Sequence, residues 1–256
     1  MKEWFKNLLE TEMLNNVSEI IVSFPLPNIP EIQQGDNLGA LIVEKMGPVG
    51  GVQNWDIFVI ASKVVSKSEG RVVDLTAIDP TEEARQLYKR LGRKSPQLIQ
   101  LILDHSQSYT ITNGRIISRH RLGFILTSAG VDQLDDKTAI VLPEDPDKSA
   151  ATIRQEIENL TQKHVAVVIS DSEGRPDRRG AGAISIGVSG IDPLQVNEVQ
   201  LEGGKSKITE ETISDLLAAQ ASLIMGQRGR NIPIVCIRGF HYRQNNKANI
   251  KSILHH

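Results

Sequence analysis

The segment that most constrains the fold runs from Val165 to Gly180 and reads VAVVISDSEGRPDRRG. Its first five residues are apolar and mostly β-branched, a pattern that predicts a strand buried on both faces. The strand is expected to end at Asp171 and Ser172, whose carboxylate and hydroxyl groups are hard oxygen ligands for a divalent cation. The arginines that follow suit an anion such as phosphate. A solvated turn that happens to be charged is the alternative interpretation of this segment.

Composition narrows the class of protein. The 256 residues, 39% of them hydrophobic, are sufficient for one large domain or two small ones. A net charge of −2 and an aromatic content of 4% argue against a dedicated nucleic-acid binder, so any anion site must be local. The single cysteine, Cys236, excludes an intrachain disulfide and favours a reducing cytoplasm. No run approaches the roughly 18 apolar residues that span a membrane.

Hydrophobic periodicity predicts an α+β protein. The N-terminal 16 residues are interpreted as a lead-in helix, residues 17–240 as the core and 241–256 as a tail, so that 1–256 form a single domain. Further helices are predicted over 38–45, 84–91, 95–103, 149–160 and 209–223. Strands are predicted over 20–24, 56–61, 109–112, 115–119, 123–126, 165–169, 183–188 and 234–237. Residues 62–73 are expected to continue the second strand, and 195–207 to form a loop or an edge.

A second apolar segment ends in the same way as the first. Residues 123–126 lead into TSAGVD, which closes on Asp132. If the two strands are neighbours, Asp132 and Asp171 converge on one cation, with the Ser172 hydroxyl available for another. Paired carboxylates with open positions suit Mg²⁺ or Mn²⁺ when phosphate oxygens complete the coordination shell. The alternative is that each aspartate simply caps a turn.

Two further segments carry groups that could bind phosphate. Ser62, Lys63 and Lys67 follow a predicted strand, and lysines placed there can neutralise phosphate charge. They are equally compatible with an edge strand whose lysines prevent aggregation. The loop 225–231 holds two glycines and two arginines, so its amides could face a nucleotide. A C-capping glycine followed by a solvated turn would explain the same residues.

Two familiar kinds of site are excluded. The string Gly204-Lys205-Ser206 resembles the end of a P-loop, but Val199 stands where that motif requires glycine. None of the six histidines has a partner at zinc-ligand spacing, and one cysteine cannot form a thiolate cluster.

Taken in order, the strings SKVVSK-x-EGR (62–71), LPEDPD-x-SA (142–150) and SD-x-x-GRP (170–176) resemble the coenzyme F420-0:L-glutamate ligases, also called coenzyme F420 gamma-glutamyl ligases. The similarity extends over most of residues 20–239. It implies an α+β fold with mixed and antiparallel sheets, flanking helices and an intertwined homodimer. It also implies a cytoplasmic, GTP-dependent enzyme that joins L-glutamate to F420-0 through an acyl phosphate, with two Mg²⁺ or Mn²⁺ ions and K⁺ as a further candidate. Neither nucleic acid nor membrane is an expected partner.

The resemblance also implies roles for individual residues. Asp132 and Asp171 would hold one metal ion, and Ser172 and the main chain of Gly229 would contact the second. Asp132, Asp171 and Lys67 are the candidate catalytic residues. The expected nucleotide contacts are Ile29, Pro30, Glu31, Ile32, Ser62, Lys63, Lys67, Asp135, Gln227, Arg228, Gly229, Arg230 and Asn231.

Several positions depart from the family pattern. Asp135 stands where asparagine is usual, Leu216 replaces an acidic residue, and Asp177 replaces an aromatic one. The last two lie toward the expected acceptor side, which leaves the substrate more open than the nucleotide chemistry. Two alternatives therefore remain: a related ligase with another acid and amine, and a nucleotide-binding homologue without ligase activity.

Overall fold

The computed structural model describes residues 20–175, 177–201, 204–227 and 229–255. The predicted lead-in helix over 1–16 lies outside these ranges, as does Arg228. The strands are β1 (Val22–Pro25), β2 (Ile57–Ala61), β3 (Val72–Asp74), β4 (Ser106–Thr112), β5 (Arg115–His120), β6 (Ile125–Thr127), β7 (Asp132–Gln133), β8 (Thr138–Ile140), β9 (Ala166–Gly174), β10 (Ala181–Ser189), β11 (Gln195–Gln200), β12 (Ser206–Glu211) and β13 (Ile234–Arg238). The α-helices are α1 (Leu38–Met46), α2 (Ser62–Ser68), α3 (Glu82–Leu91), α4 (Pro96–Asp104), α5 (Pro146–Thr161) and α6 (Ile213–Met225).

A five-stranded mixed sheet with the order β1-β13-β2-β9-β10 is the centre of the fold. Only β2 and β9 pair in parallel, and the other neighbours are antiparallel. Residues 57–60, 166–170 and 234–237 are buried, as expected for strands that are covered on both faces. Helices α5 and α6 both pack against β10, and α1 packs against α5. The predicted α+β class with mixed and antiparallel sheets is confirmed.

A second hydrophobic cluster lies outside the central sheet. It is built around helices α3 and α4, where Leu87, Leu98 and Ile102 are buried together. Two three-stranded sheets, ordered β3-β8-β7 and β4-β5-β6, contribute to it. Strands β11 and β12 pair only with each other within the described residues, and they form a separate hairpin.

The prediction that residues 62–73 continue a strand was wrong, because residues 62–68 form helix α2. The parallel pairing with β9 ends at Ala61, opposite Ser170. Beyond it, Val64 and Val65 are buried, whereas Lys63 and Lys67 are partly exposed one helical turn apart. The edge-strand interpretation of the two lysines is therefore wrong as well.

Three other boundaries differ from the prediction. Strand β9 does not end at Asp171 but continues to Gly174, since its pairing with β10 extends to Gly174 opposite Ala181. Residues 195–200 and 206–211, where a loop or an edge was predicted, pair as the strands of a hairpin, so the last helix begins at Ile213 instead of residue 209. Leu216, which lies on that helix, is 57% exposed.

In the part of the chain that the model describes, no helix combines the length and the apolar character needed to cross a bilayer.

Candidate active site

Four segments converge at one edge of the central sheet. Because β2 and β9 are parallel and Ala61 lies opposite Ser170, the residues that follow these two positions are side by side. Strand β13 is antiparallel to β2 and begins at this edge, where the Ala61 amide donates to the Pro233 carbonyl at 2.9 Å. Strand β1 ends there too, and the next amide, that of Leu26, donates to the Ile234 carbonyl at 3.0 Å.

Asp171 is the central carboxylate at this edge. Ser62, the first residue of α2, donates its hydroxyl hydrogen to Asp171 Oδ1 at 2.7 Å. The pKa of Asp171 is raised to about 6, first by burial and then by the negative charge of Asp132, against the opposing hydrogen bond from Ser62 and the charge of Lys63. A buried carboxylate that also faces a second acid favours a nearby positive charge.

Asp132 supplies that second acid from another sheet. It opens β7, and its Oδ2 lies 2.9 Å from Lys63 Nζ. The sequence argument for this convergence was wrong, because β6 pairs with β5 and is not a neighbour of β9 within one sheet. The two segments meet instead through a side chain, since Thr127 Oγ1 donates to the Gly174 carbonyl at 2.8 Å. The expected proximity of the two aspartates is nevertheless found.

The cavity between these segments has a volume of about 530 Å³. Most of the residues selected from the sequence line it: Ile29, Pro30, Glu31, Ile32, Ser62, Lys63, Lys67, Asp132, Asp171, Ser172, Gln227, Gly229, Arg230 and Asn231. Lys67 pairs with Glu31 across the cavity wall. The lining therefore carries two lysines and an arginine together with Glu31 and the pair of aspartates.

Two of the candidate nucleotide contacts, Asp135 and Arg230, form hydrogen bonds with the protein backbone in this structure. Asp135 is not among the lining residues; its carboxylate accepts hydrogen bonds from the Lys137 and Thr138 amides and closes the turn between β7 and β8. Arg230 lines the cavity, but its Nη1 donates to the Leu223 carbonyl at 2.9 Å at the end of α6. Gly226 provides the C-cap of this helix, so the capping interpretation of the loop is correct for its first part.

Sequence reasoning missed part of the lining. The additional residues are Ala61, Val64, Gln133, Leu134, Ser170, Ala183 and Ser222. Most of them adjoin a residue that was selected, so their position in the chain was the available signal. The sequence carried no such signal for Ala183, because this residue of β10 lies opposite Ser172 and only the strand pairing shows it.

The oxygen donors fit a hard divalent cation. Asp132 and Asp171 offer carboxylates and Ser172 offers an exposed hydroxyl, all within the lining. Among the described residues, no group of three or more His, Cys, Asp and Glu side chains could hold a metal ion. A cation at this pair would therefore need further oxygen ligands from water or phosphate, as is usual for Mg²⁺.

Comparisons with known proteins show the family of this chain. Residues 27–239 match the family model described as F420-0:Gamma-glutamyl ligase. Three relatives bear the name coenzyme F420:L-glutamate ligase. The protein of Methanothermobacter thermautotrophicus is 38% identical over 83% of this chain and 86% of its own length. That of Methanocaldococcus jannaschii is 44% identical over 73% and 77%, and that of Methanosarcina mazei is 37% identical over 87% and 87%. The chain belongs to the F420-0:gamma-glutamyl ligase family.

Proposed function

We propose that this protein is an amide ligase that joins L-glutamate to coenzyme F420-0 and uses GTP to activate the acceptor. The relatives named above are called ligases of this acid and amine. The observation that carries the proposal is the single cavity in which Asp132, Asp171 and the two lysines of α2 face the glycine-containing loop after α6. Such a set of charges suits phosphoryl transfer, in which positioning and charge stabilisation provide most of the catalysis.

The reaction would proceed in two balanced steps. A carboxylate oxygen of F420-0 attacks the γ-phosphorus of GTP, the bond to the bridging oxygen breaks, and GDP leaves. The amine of glutamate then attacks the carbonyl carbon of the acyl phosphate, phosphate departs with the bonding electrons, and the nitrogen releases a proton to solvent. Lys63 and Lys67 would stabilise the negative charge on the phosphates during the first step.

Asp132 and Asp171 are the residues that would hold a divalent ion, with Ser172 and the carbonyl of Gly229 as candidates for a second one. When bound, Mg²⁺ or Mn²⁺ neutralises phosphate charge and polarises the phosphorus. Lys63 now balances Asp132, so its ammonium group would be released toward a phosphate once a cation takes its place. Both side chains are about 40% exposed, and exposed ion pairs contribute only about 0–1 kcal/mol.

The cavity depends on residues that are anchored in both hydrophobic clusters. Val64 belongs to the main cluster, and Val131, next to Asp132, belongs to the second. Because the site needs residues from both, we infer that the chain acts as one catalytic domain.

We also infer a homodimer. The β11–β12 hairpin has apolar side chains on both faces that nothing in the described chain covers, including Val196, Val199 and Ile208. An isolated two-stranded hairpin is marginally stable in water. A second copy that packs around the hairpin would bury these side chains, which fits an intertwined dimer.

The test is a ligation assay with F420-0, L-glutamate, GTP and Mn²⁺. The expected product is heavier than F420-0 by one glutamyl unit, and equimolar GDP and phosphate are formed. Asp171→Asn should remove the mass gain, while Asp79→Asn, at an exposed aspartate that precedes α3 and pairs with Arg85, should retain it. GTP turnover only with other acids or amines would favour a ligase of different specificity. No GTP turnover under any condition would favour a binding protein without ligase activity.

A further inference from the structure

A second cavity, separate from the candidate active site, has arginine at five of its eight lining positions. We name it the arginine pocket; its charged lining consists of Arg93, Arg115, Arg175, Arg178, Arg179 and Asp177. Its volume is about 480 Å³. Five positive groups and one negative group share this space in a protein whose formal net charge is −2.

Few of these charges are balanced by the protein itself. Asp177 is the single acid in the lining, and it lies 3.7 Å from Arg178 Nε. Among the described residues, no carboxylate lies within ion-pair distance of Arg93, Arg115, Arg175 or Arg179. Clustered guanidinium groups repel one another, and an oxyanion between them would remove that repulsion while accepting bidentate hydrogen bonds.

Two of the guanidinium groups lie over the end of the β9–β10 ladder. A Cβ atom placed on Gly174 would lie 3.8 Å from Arg115 Nη1, and one placed on Gly182 would lie 3.8 Å from Arg175 Nη2. Gly174 lies opposite Ala181, and Gly182 lies opposite Glu173, so both glycines belong to the last pairs of this ladder. The missing side chains leave room for the guanidinium groups above the strands.

The same strand connects the arginine pocket to the candidate active site. Asp171 and Arg175 are four residues apart along β9 and its immediate continuation, which corresponds to about 13 Å of extended chain. The nucleotide candidates lie elsewhere, on α2 and on the loop between α6 and β13. A ligand that places a carboxylate near Asp171 and reaches the arginines must therefore be an elongated acid with a second anionic group.

We propose that the arginine pocket binds an oxyanionic part of the acceptor, remote from the carboxylate that reacts. This inference rests on the proposed function, because the acceptor is the acid that must lie beside Asp171. Each added glutamate converts one carboxylate into an amide and brings two new ones, so a glutamylated acceptor carries at least one oxyanion besides the carboxylate that reacts next. Phosphate and carboxylate groups are both suitable ligands for the pocket.

The test compares two double variants that remove the same charge. Arg115→Gln/Arg175→Gln alters the arginine pocket, and Arg85→Gln/Arg90→Gln alters exposed arginines of α3 that lie outside both cavities. In the ligation assay we expect the KM for F420-0 to rise about tenfold or more in the first variant, while the KM for GTP changes less than twofold in both. This result would separate acceptor binding from a structural effect, which would alter both KM values.

An unchanged KM for F420-0 in Arg115→Gln/Arg175→Gln, with wild-type ligation intact, would overturn the inference and leave the proposed function standing.

If the wild-type protein does not ligate glutamate to F420-0, isothermal titration calorimetry tests the arginine pocket independently. The probes are inorganic tripolyphosphate and tri-γ-glutamate, each added to protein saturated with GDP. Binding at least tenfold weaker in the pocket variant than in the α3 variant supports an oxyanion site, and the stronger probe identifies phosphate or carboxylate as its ligand. Equal binding in both variants overturns it.

Discussion

The ion pair between Lys63 and Asp132 links the two sets of charges in the cavity. Lys63 belongs to α2, whereas Asp132 belongs to the sheet packed on the second hydrophobic cluster. Asp132 also acts on Asp171, since its negative charge is one reason for the raised pKa of that carboxyl. A single side chain therefore influences both a candidate phosphate ligand and a candidate metal ligand, which makes Asp132 the most informative position to change.

Asp132→Asn keeps the shape of the side chain but removes its charge. We expect turnover dependent on Mn²⁺ to fall by about 100-fold or more, because the proposed metal site would lose one of its two carboxylates and with it several kcal/mol of charge stabilisation. The melting temperature should change little, since the pair with Lys63 is about 40% exposed. Steady-state kinetics across a Mn²⁺ titration, together with thermal unfolding, provide the measurement.

Asp135→Asn is the matched control, three residues along the chain. The Asp135 carboxylate is occupied by the amides of Lys137 and Thr138, so the KM for GTP should stay within about twofold of the wild-type value. An equal loss of activity in both variants would mean that the charge of the β7–β8 segment, rather than a ligand role of Asp132, supports turnover.

His120 makes stability depend on pH. Its pKa is lowered to about 4 by burial, by His105 and by the positive charges of Arg121 and Arg71. His105 stacks on it with ring centroids 5.8 Å apart. Between pH 6.5 and about 4, the unfolded chain binds a proton that the folded protein excludes, so this contribution to stability is complete above pH 6.5 and is lost as the pH falls toward 4. The loss amounts to about 3 kcal/mol.

His120→Asn should therefore flatten the dependence of the free energy of unfolding on pH. The asparagine oxygen can replace Nδ1 as acceptor for the Leu122 amide, so the variant keeps the hydrogen bond but lacks the titrating group. Urea unfolding at pH 7.5 and pH 4.5 measures the difference. His164→Asn, at an exposed histidine, should behave as the wild type does, and an equally steep loss in His120→Asn would contradict the assignment.

At the scale of elements, strands with strong local signals could be predicted, whereas pairing could not. The Asn113-Gly114 dipeptide between the predicted strands β4 and β5 is one that tolerates positive φ, and both residues have it, at 51° and 69°. The parallel neighbours β2 and β9 are more than a hundred residues apart, and nothing local specifies their register. For that reason the boundaries of β9, and Ala183 as a lining residue, came only from the structure.

Helix α2 illustrates a second limit. The string SKVVSKS alternates too little for a strand and is too short for a clear helical period. Its helical form results from tertiary contacts that bury Val64 and Val65. The candidate site was easier to predict than the fold around it, because carboxylates and lysines in ordered family strings identify chemistry without specifying the element that carries them.

Gly187 lies at a close approach between β10 and α5. It follows an irregularity in the β9–β10 register, and a Cβ atom there would lie 2.5 Å from the backbone of Pro146, the first residue of α5. Because backbone cannot rotate away, Gly187→Ala should reduce the free energy of unfolding by about 1–3 kcal/mol. Gly182→Ala on the same strand meets only ordinary contact, at 3.8 Å from Arg175 Nη2, and should be nearly neutral by urea unfolding. Equal stability of the two variants would show that the helix can move aside.

At the scale of the whole molecule, two successive elements, the β11–β12 hairpin and α6, each carry more than one exposed apolar side chain. Val196, Val199 and Ile208 lie on the β11–β12 hairpin, where Ile208 is 66% exposed. Leu216 and Leu223 lie two turns apart on α6, the helix that follows the hairpin, and Leu223 is 77% exposed. A second apolar stripe on α6 explains why Leu216 does not face the core: the helix has a buried side formed by Ile213 and Leu217, and another that the described chain leaves open.

The homodimer that we infer would cover this surface, so charges placed there should separate the copies. Val196→Lys/Ile208→Lys puts two like charges on one face of the hairpin, and we expect the dimer to become a monomer at micromolar concentration. Leu160→Lys, at a 60% exposed position of α5, is the control and should leave the dimer intact. Analytical ultracentrifugation distinguishes the species. A wild-type protein that sediments as a monomer would refute the dimer, and a dimer that survives the double variant would place the interface away from the hairpin.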